Sequence, residues 1–358
     1  MADLFRTIAT LGFFALIFPG FGFVVAHLAG PAKEPVLAAA HGKNLIDGGV
    51  TAVLDKQVVG ALPGTPALDG LMAGLTYLVL DDAGPQVRAG CPGWLFITEE
   101  IAFQKGGDAN LAARLRIAAK IRDAMKARGI EMLVMPVPDK ISVSREGSCG
   151  LPVSRQAQGR LAAWRAGTAG LGLQQVDVIA GFPAHGYLRT DTHWNVEGAR
   201  YAADRLAAAV AERLGPGTQK VELAVSAPKP RVGDLMHLAG LDRSYPWSGP
   251  APDMEPEVSS RVIRTGGLLD EVPAPSVILI GTSFSLRSGF ADFLAAALAR
   301  EVGQKSREGG GYAGAMLDIL MNSPQILDGT RLVVWELPIR TLTHPLTEAE
   351  RRFLGDEK

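Results

Sequence analysis

SVILIGTSFS, residues 276–285, is the stretch whose reading decides the architecture. A run of β-branched and aliphatic residues ends on a glycine and then small hydroxyl residues, which predicts a buried strand entering a tight turn and a helix. A strand with no polar alternation is covered on both faces, as strands are in parallel sheets packed between helices. Working outward, MLVMPVP (132–138), VDVIAG (176–181) and RLVVWELP (331–338) read the same way. Helices are predicted between them. In residues 110–128, Leu111, Leu115, Ala118, Ile121 and Met125 recur at three- and four-residue steps, opened by Asn110 or Asp108 and stopped by Gly129. Further helices are predicted at 155–166, 196–213 and about 288–302. The expected class is α/β, a mostly parallel sheet with helices on both faces. GCPGWLFITEE (90–100) reads as a turn and strand, and the Pro-rich YPWSGPAPDMEPEV (245–258) as a loop inserted between sheet elements.

Composition removes several functions. With 358 residues, 47% hydrophobic and 20% charged, the chain has enough apolar side chain for a real core, so disorder is excluded as its main state. Lys and Arg total 36 against 37 Asp and Glu, a formal charge of −1, too balanced to hold a nucleic-acid backbone by bulk attraction. The two cysteines, Cys91 and Cys149, build neither a disulfide framework nor a four-thiolate zinc site. They are either one pair or two separate buried thiols. A pair would close a loop of about 58 residues and contribute about 4 kcal/mol on the chain-entropy model.

The N-terminus sets the compartment. TIATLGFFALIFPGFGFVVA (7–26) carries no charge, and ~20 residues at ~1.5 Å per residue match a ~30 Å hydrocarbon layer. The expectation is a signal anchor over 1–30 in preference to a cleaved signal peptide, because the positive end is thin and His27 stands where a small residue is preferred. No second apolar run of that length follows, so the rest is expected on the extracytoplasmic side. Residues 31–83 are expected as a linker or wrap without regular elements, 84–346 as the working domain, and 347–358 as a charged, solvated tail.

Two motifs carry chemistry. In open α/β sheets reactive groups collect beyond the carboxyl ends of strands, and GTSFS (281–285) lies there, exposing Ser283 at the start of a helix where backbone amides hold an oxyanion. Thr282, Ser283, Ser285 and Ser288 are also ordinary turn and cap residues. TDTHWN (190–195) places Asp191 two residues from His193, so the carboxylate can orient the imidazole as a base for a serine. Alone, the same residues read as helix caps and a packed imidazole. Together they supply nucleophile, base and orienter. His185, His193 and Asp191 lack a third His or Cys at ligand spacing, so no metal is assigned. GGGYAG (309–314) lacks a preceding strand and no GxGxxG or GxxxxGK[ST] is placed correctly, so no nucleotide cofactor is assigned.

The residues resemble the SGNH-hydrolase-like alginate O-acetyltransferases of the AlgJ and AlgX type. VRAGCPGWLF (87–96) is similar to that family's entry motif, TDTHWN to its Asp-His motif, VGDL (232–235) to the loop after it, GTSFS to its serine turn and VVWELPIR (333–340) to its closing strand. The anchor and the lack of an added carbohydrate-binding domain make the chain more AlgJ-like. One departure is Thr282, where the wider superfamily has Asp. The resemblance implies a periplasmic enzyme, anchored in the inner membrane, in which Ser283, with His193 and Asp191, takes an acetyl group and passes it to hydroxyls of an exopolysaccharide such as alginate or acetylated cellulose. It implies a membrane-bound acetyl-relay partner of the MBOAT type. Trp194, Tyr187, Asn195 and Arg287 are candidate glycan-groove residues, or else packing and caps. The competing expectations are a carbohydrate acetylesterase and a non-catalytic polysaccharide-binding component of a secretion complex.

Overall fold

The uncharged N-terminal run lies within one helix, α1 (Ala2–Ala29), in the computed structural model, which describes residues 2–45, 47–61, 65–263 and 274–355. Two compact units divide at residue 72. The first holds α1, α2 (Lys33–Ala39), α3 (Gly49–Ala61) and the start of α4 (Thr65–Leu80). Helices therefore replace the irregular wrap expected over 31–83. Glycine and proline there read locally as helix breakers, but Pro66 falls in the first turn of α4, where a missing N–H costs nothing, and Leu, Ala and Met carry the rest. Among the described residues no single helix is long and apolar enough to cross a membrane. Phe13–Ala29 and Lys33–Ala39 satisfy that test only as a pair bent by 68°. Residues 7–26, the run expected as the anchor, all lie within α1.

The second unit opens with the antiparallel pair β1 (Val87–Ala89) and β2 (Leu95–Ile97), then α5 (Gly107–Ala127), β3 (Glu131–Val137), α6 (Lys140–Val143), α7 (Arg155–Ala169) and β4 (Gln174–Gln175). After α8 (Val196–Leu214) come β5 (Lys220–Val225), β6 (Lys229–Arg231), α9 (Asp234–Leu238), β7 (Asp253–Glu255) and β8 (Val258–Ile263). The chain closes with β9 (Val277–Ile280), α10 (Ser283–Leu286), α11 (Phe290–Leu298), β10 (Val302–Gln304), α12 (Gly314–Asn322), β11 (Leu332–Pro338) and α13 (Glu348–Leu354).

The central sheet is parallel throughout, in the order β10-β9-β11-β3-β4. Successive side chains of a strand face opposite ways, and here both faces are apolar. Val134, Ile278, Ile280, Val333, Trp335 and Leu337 pack with residues of α5, α7 and α12. Leu133, Met135, Val277, Leu279, Leu332 and Val334 pack with those of α8 and α11. Two-sided burial is why these strands read as unbroken apolar runs.

Several boundaries differ from expectation. The strand expected over 176–181 does not form: the outer strand is β4 (Gln174–Gln175), just before it, and Val176 adds one further bond from its N–H to Val134 O at 2.8 Å. The helix expected to 302 ends at Leu298, where Ala299 turns left-handed (φ 46°) and releases the edge strand β10. The Pro-rich stretch contains β7, paired with β6. The tail after Leu346 is not simply solvated: Thr347 and Glu350 form a capping box on α13, and buried Glu350 pairs with Arg114 at 2.9 Å. Cys91 and Cys149 are bonded, tying the β1–β2 turn to the segment after α6.

Candidate active site

Ser283, His193 and Asp191 come together beyond the carboxyl end of the sheet. Ser283 follows β9 as the first residue of α10, with Thr282 Oγ1 capping that turn by accepting from Phe284 N. His193 and Asp191 sit on a loop whose two sides meet at a bridge between Tyr187 and Trp194 and which Asn195 closes by capping α8. His193 Nε2 is 2.7 Å from Ser283 Oγ, and His193 Nδ1 is 2.6 Å from Asp191 Oδ1, which also accepts from His193 N at 2.9 Å. With Nδ1 donating to the carboxylate, Nε2 is the acceptor for the serine proton. Ser283, His193 and Asp191 are all buried, with Ser283 the most exposed of the three at 9%.

Asp191 holds a second cation. Arg231, at the end of β6, donates to Asp191 Oδ2 at 3.1 Å and pairs with buried Glu255 of β7. Burial pushes the Asp191 carboxyl up, but the hydrogen bonds and charge of His193 together with Arg231 outweigh it and hold the group well below the usual range. Burial likewise disfavours the Arg231 guanidinium, and Asp191 and Glu255 more than offset it, raising its pKa. Asp234 opens α9, accepts from Thr192 N at 2.7 Å and lies 3.6 Å from His193 Nδ1.

Asp191, His193 and Asp234 bring three possible ligand atoms within 4.8 Å of one another. Nδ1 is already engaged with Asp191 and a guanidinium occupies the other Asp191 oxygen, so the donor set suits a protonated nitrogen better than a metal ion. The third group is an Asp 41 residues beyond His193, not the nearby His185 weighed from the sequence; His185 is exposed and its carbonyl accepts from Asn195 Nδ2 at 2.6 Å.

The loop backbone is pinned from two sides. Asp253 of β7 accepts from Arg189 N at 3.1 Å, Thr190 N at 2.9 Å and Thr190 Oγ1 at 2.7 Å. Lys140, 1% exposed at the start of α6, donates to the carbonyls of Leu95 (2.7 Å), Arg189 (2.8 Å) and Asp191 (3.0 Å). Burial pushes its ammonium down to about 8, against the pull of Glu100, Asp253, Asp191 and Asp234. Gly233 is required by close approach: a Cβ there would collide with the Thr190 carbonyl.

The candidate groove residues divide. Trp194 is fully enclosed, its ring against Phe284 and Phe290, and Tyr187 is buried with its hydroxyl donating to Pro138 O. Trp194 belongs to the apolar floor of the loop, whereas Tyr187 lines a concave surface together with Asn195, Arg189 and Asp253. Asn195 is spent on capping, accepting from Glu197 N and Gly198 N. Arg287 is exposed beside the serine turn, paired with Glu308 at 2.8 Å.

Arg231, Asp253, Glu255, Lys140 and Glu336 were missed as site residues. A signal existed for some. Glu336 is the one charge in the apolar run 331–338 after its first residue, and Asp253 and Glu255, two apart, share a strand face. Their partners were not legible.

The model of the SGNH hydrolase-like domain of the acetyltransferase AlgX matches residues 87–339. The chain is 30% identical over 307 residues to the probable alginate O-acetylase AlgJ of Pseudomonas syringae pv. tomato, covering 80% of this chain and 78% of that one. To the probable alginate O-acetylase AlgJ of Pseudomonas aeruginosa it is 27% identical over 362 residues, covering 94% and 90%. The O-acetyltransferase domain of Pseudomonas putida AlgJ has a similar structure, with a TM-score of 0.67 at 25% identity over 76% of this chain and 100% of that one. Pseudomonas aeruginosa AlgX, at 21% identity, shares the fold with a TM-score of 0.55, covering 75% and 64%.

Proposed function

The chain belongs to the SGNH hydrolase-like acetyltransferase family of AlgX, and from that premise we propose that it is a serine-dependent O-acetyltransferase acting on an exopolysaccharide of the alginate or acetylated-cellulose type. The alignment of Ser283 Oγ, His193 and Asp191 at 2.7 and 2.6 Å carries the reading. His193 Nε2 takes the Ser283 proton as Oγ attacks the acetyl carbonyl carbon. The donor's leaving oxygen departs with that proton, giving an acetyl ester on Ser283. A sugar hydroxyl then attacks the ester carbonyl and gives its proton to Nε2. The tetrahedral intermediate collapses, and the proton returns to Ser283 Oγ. The Ser283 amide, first in α10 and without a partner in that turn, is a donor for the oxyanion in both steps.

The working domain in this reading is 84–346, periplasmic and tethered to the inner membrane through residues 1–30. The uncharged 7–26 run and a Cys91–Cys149 bond suited to an oxidising compartment support that placement. A membrane-bound acetyl-relay protein of the MBOAT type would supply the donor, since cytoplasmic acetyl thioesters do not reach that side.

The test is intact-mass spectrometry of the protein with an activated acetyl ester, with and without oligosaccharide. The expected result is one acetyl group on Ser283, discharged onto the sugar. Acetate release unaffected by sugar would establish an esterase instead. Acetylation of a Ser283→Ala variant would remove the proposed nucleophile.

A further inference from the structure

Glu336 stands at the centre of β11 with no solvent exposure, and the hydrogen bonds it accepts come from the turn that carries Ser283. Its Oε2 accepts from Thr282 N at 2.6 Å and from Ser285 Oγ at 3.0 Å, and Thr282 Oγ1 is 3.0 Å from both carboxylate oxygens. These donors lie on either side of Ser283. The approach is built into the sheet: β11 pairs with β9 as far as Trp335 beside Ile280, which brings Glu336 alongside Gly281. A side chain at Gly281 would collide with this carboxylate and with Ser285 Oγ, so the residue before the turn must be glycine.

A carboxylate taken wholly out of water is costly unless its lone pairs are filled. Among the described residues Glu336 forms no ion pair, and burial raises its pKa against the opposing hydrogen bonds of the turn. An apolar residue in that strand would serve packing better. The serine turn is where the stabilisation returned by these charge-assisted hydrogen bonds is directed.

We infer that Glu336 is a positioning residue for the nucleophile: from the neighbouring strand it clamps Thr282 and Ser285, and so fixes the direction of Ser283 Oγ toward His193 and of the Ser283 amide toward the developing oxyanion. This rests on Ser283 being the nucleophile. Thr282, which stands where the wider superfamily has Asp, serves the clamp as a donor through both its amide and its hydroxyl.

The experiment compares the native protein with Glu336→Gln, Thr282→Val, Thr282→Ser and Ser283→Ala. It measures the rate of Ser283 acetylation by p-nitrophenyl acetate, the rate of modification by phenylmethylsulfonyl fluoride, and the melting temperature. A displacement of the nucleophile by about 1 Å lowers the rate about 100-fold. Glu336→Gln is therefore expected to slow both reactions of Ser283 about 100-fold with KM for the ester little changed. Thr282→Val should slow them about 10-fold, and Thr282→Ser should stay near native. Thr282→Val removes the hydroxyl's bond to Glu336, together with its cap on Phe284 N, without touching the buried charge, so a native rate in it still overturns the inference if Glu336→Gln does not fold. Native rates in a folded Glu336→Gln protein, or in Thr282→Val, overturn the inference and leave the nucleophile assignment intact. Undiminished acetylation of Ser283→Ala would instead overturn that assignment.

Discussion

Arg231 Nη2 lies 3.1 Å from Asp191 Oδ2, so the carboxylate that orients His193 is shared between an imidazole and a guanidinium from β6. The shared carboxylate is less negative toward His193 than a free one would be, and is locked in plane by a donor on each oxygen. Arg231→Met leaves Asp191 held by His193 and a long bond from the Asp234 amide (3.4 Å), and Glu255 without its partner. The Asp191 carboxyl should then titrate nearer its ordinary value. A depressed carboxyl gives stability that is present above its ordinary pKa and lost as pH falls through the folded value, so acid unfolding should begin at higher pH in the variant. Breaking such a partly buried pair should cost about 3 kcal/mol at neutral pH. Denaturant melts between pH 3 and 7 and the acid limb of kcat/KM, displaced to higher pH, check both expectations.

Lys140 gives a pH response of opposite sign in activity and stability. Its ammonium joins β2 to the loop that carries Asp191 and His193 and has been pushed down to about 8 by burial. Because that lies below the ordinary lysine value near 10, the unfolded chain binds more protons between about pH 8 and 10, and stability rises with pH across that window. Loss of the charge weakens the grip on the Leu95, Arg189 and Asp191 carbonyls, so kcat should fall as pH passes about 8 while the melting temperature does not. A pH series of kcat and melting temperature on the native enzyme tests this. A parallel fall of both would sink it.

Trp194 should behave as core. Its ring is enclosed between Phe284 and Phe290 on the side of the sheet occupied by α8 and α11. Trp194→Ala is expected to cost about 3–5 kcal/mol in unfolding free energy, whereas Trp194→Phe should retain most of the stability and leave acceptor KM within a few-fold. A large KM change in a stable Trp194→Phe protein would restore it to a glycan groove.

The Cys91–Cys149 bond closes a separation of 58 residues and holds the entry turn against the segment after α6, which carries Lys140. Cys91→Ser with Cys149→Ser, or reduction by dithiothreitol, should remove about 4 kcal/mol on the chain-entropy model. Melting under oxidising and reducing conditions measures it, and an unchanged midpoint would contradict the estimate.

The sequence by itself determined the class of fold and the identity of the three groups now found together. Unbroken apolar runs such as VVW and VILI announce two-sided burial, because no other setting tolerates them on both faces. Asp191-x-His193 is a local pattern, and Ser283 announces itself by following a strand. The helices at 49–61 and 65–80 were obscured because glycine and proline are penalised by a local rule that ignores where in a helix they fall. What only the tertiary structure decided was which charges act on those groups. Arg231, Lys140, Asp253 and Glu336 reach the triad and its turns from β6, α6, β7 and β11. Side-chain periodicity tells which way a residue faces on its own element. It carries no information about which distant charge will be desolvated against it, and in a buried site that partner sets the electrostatics.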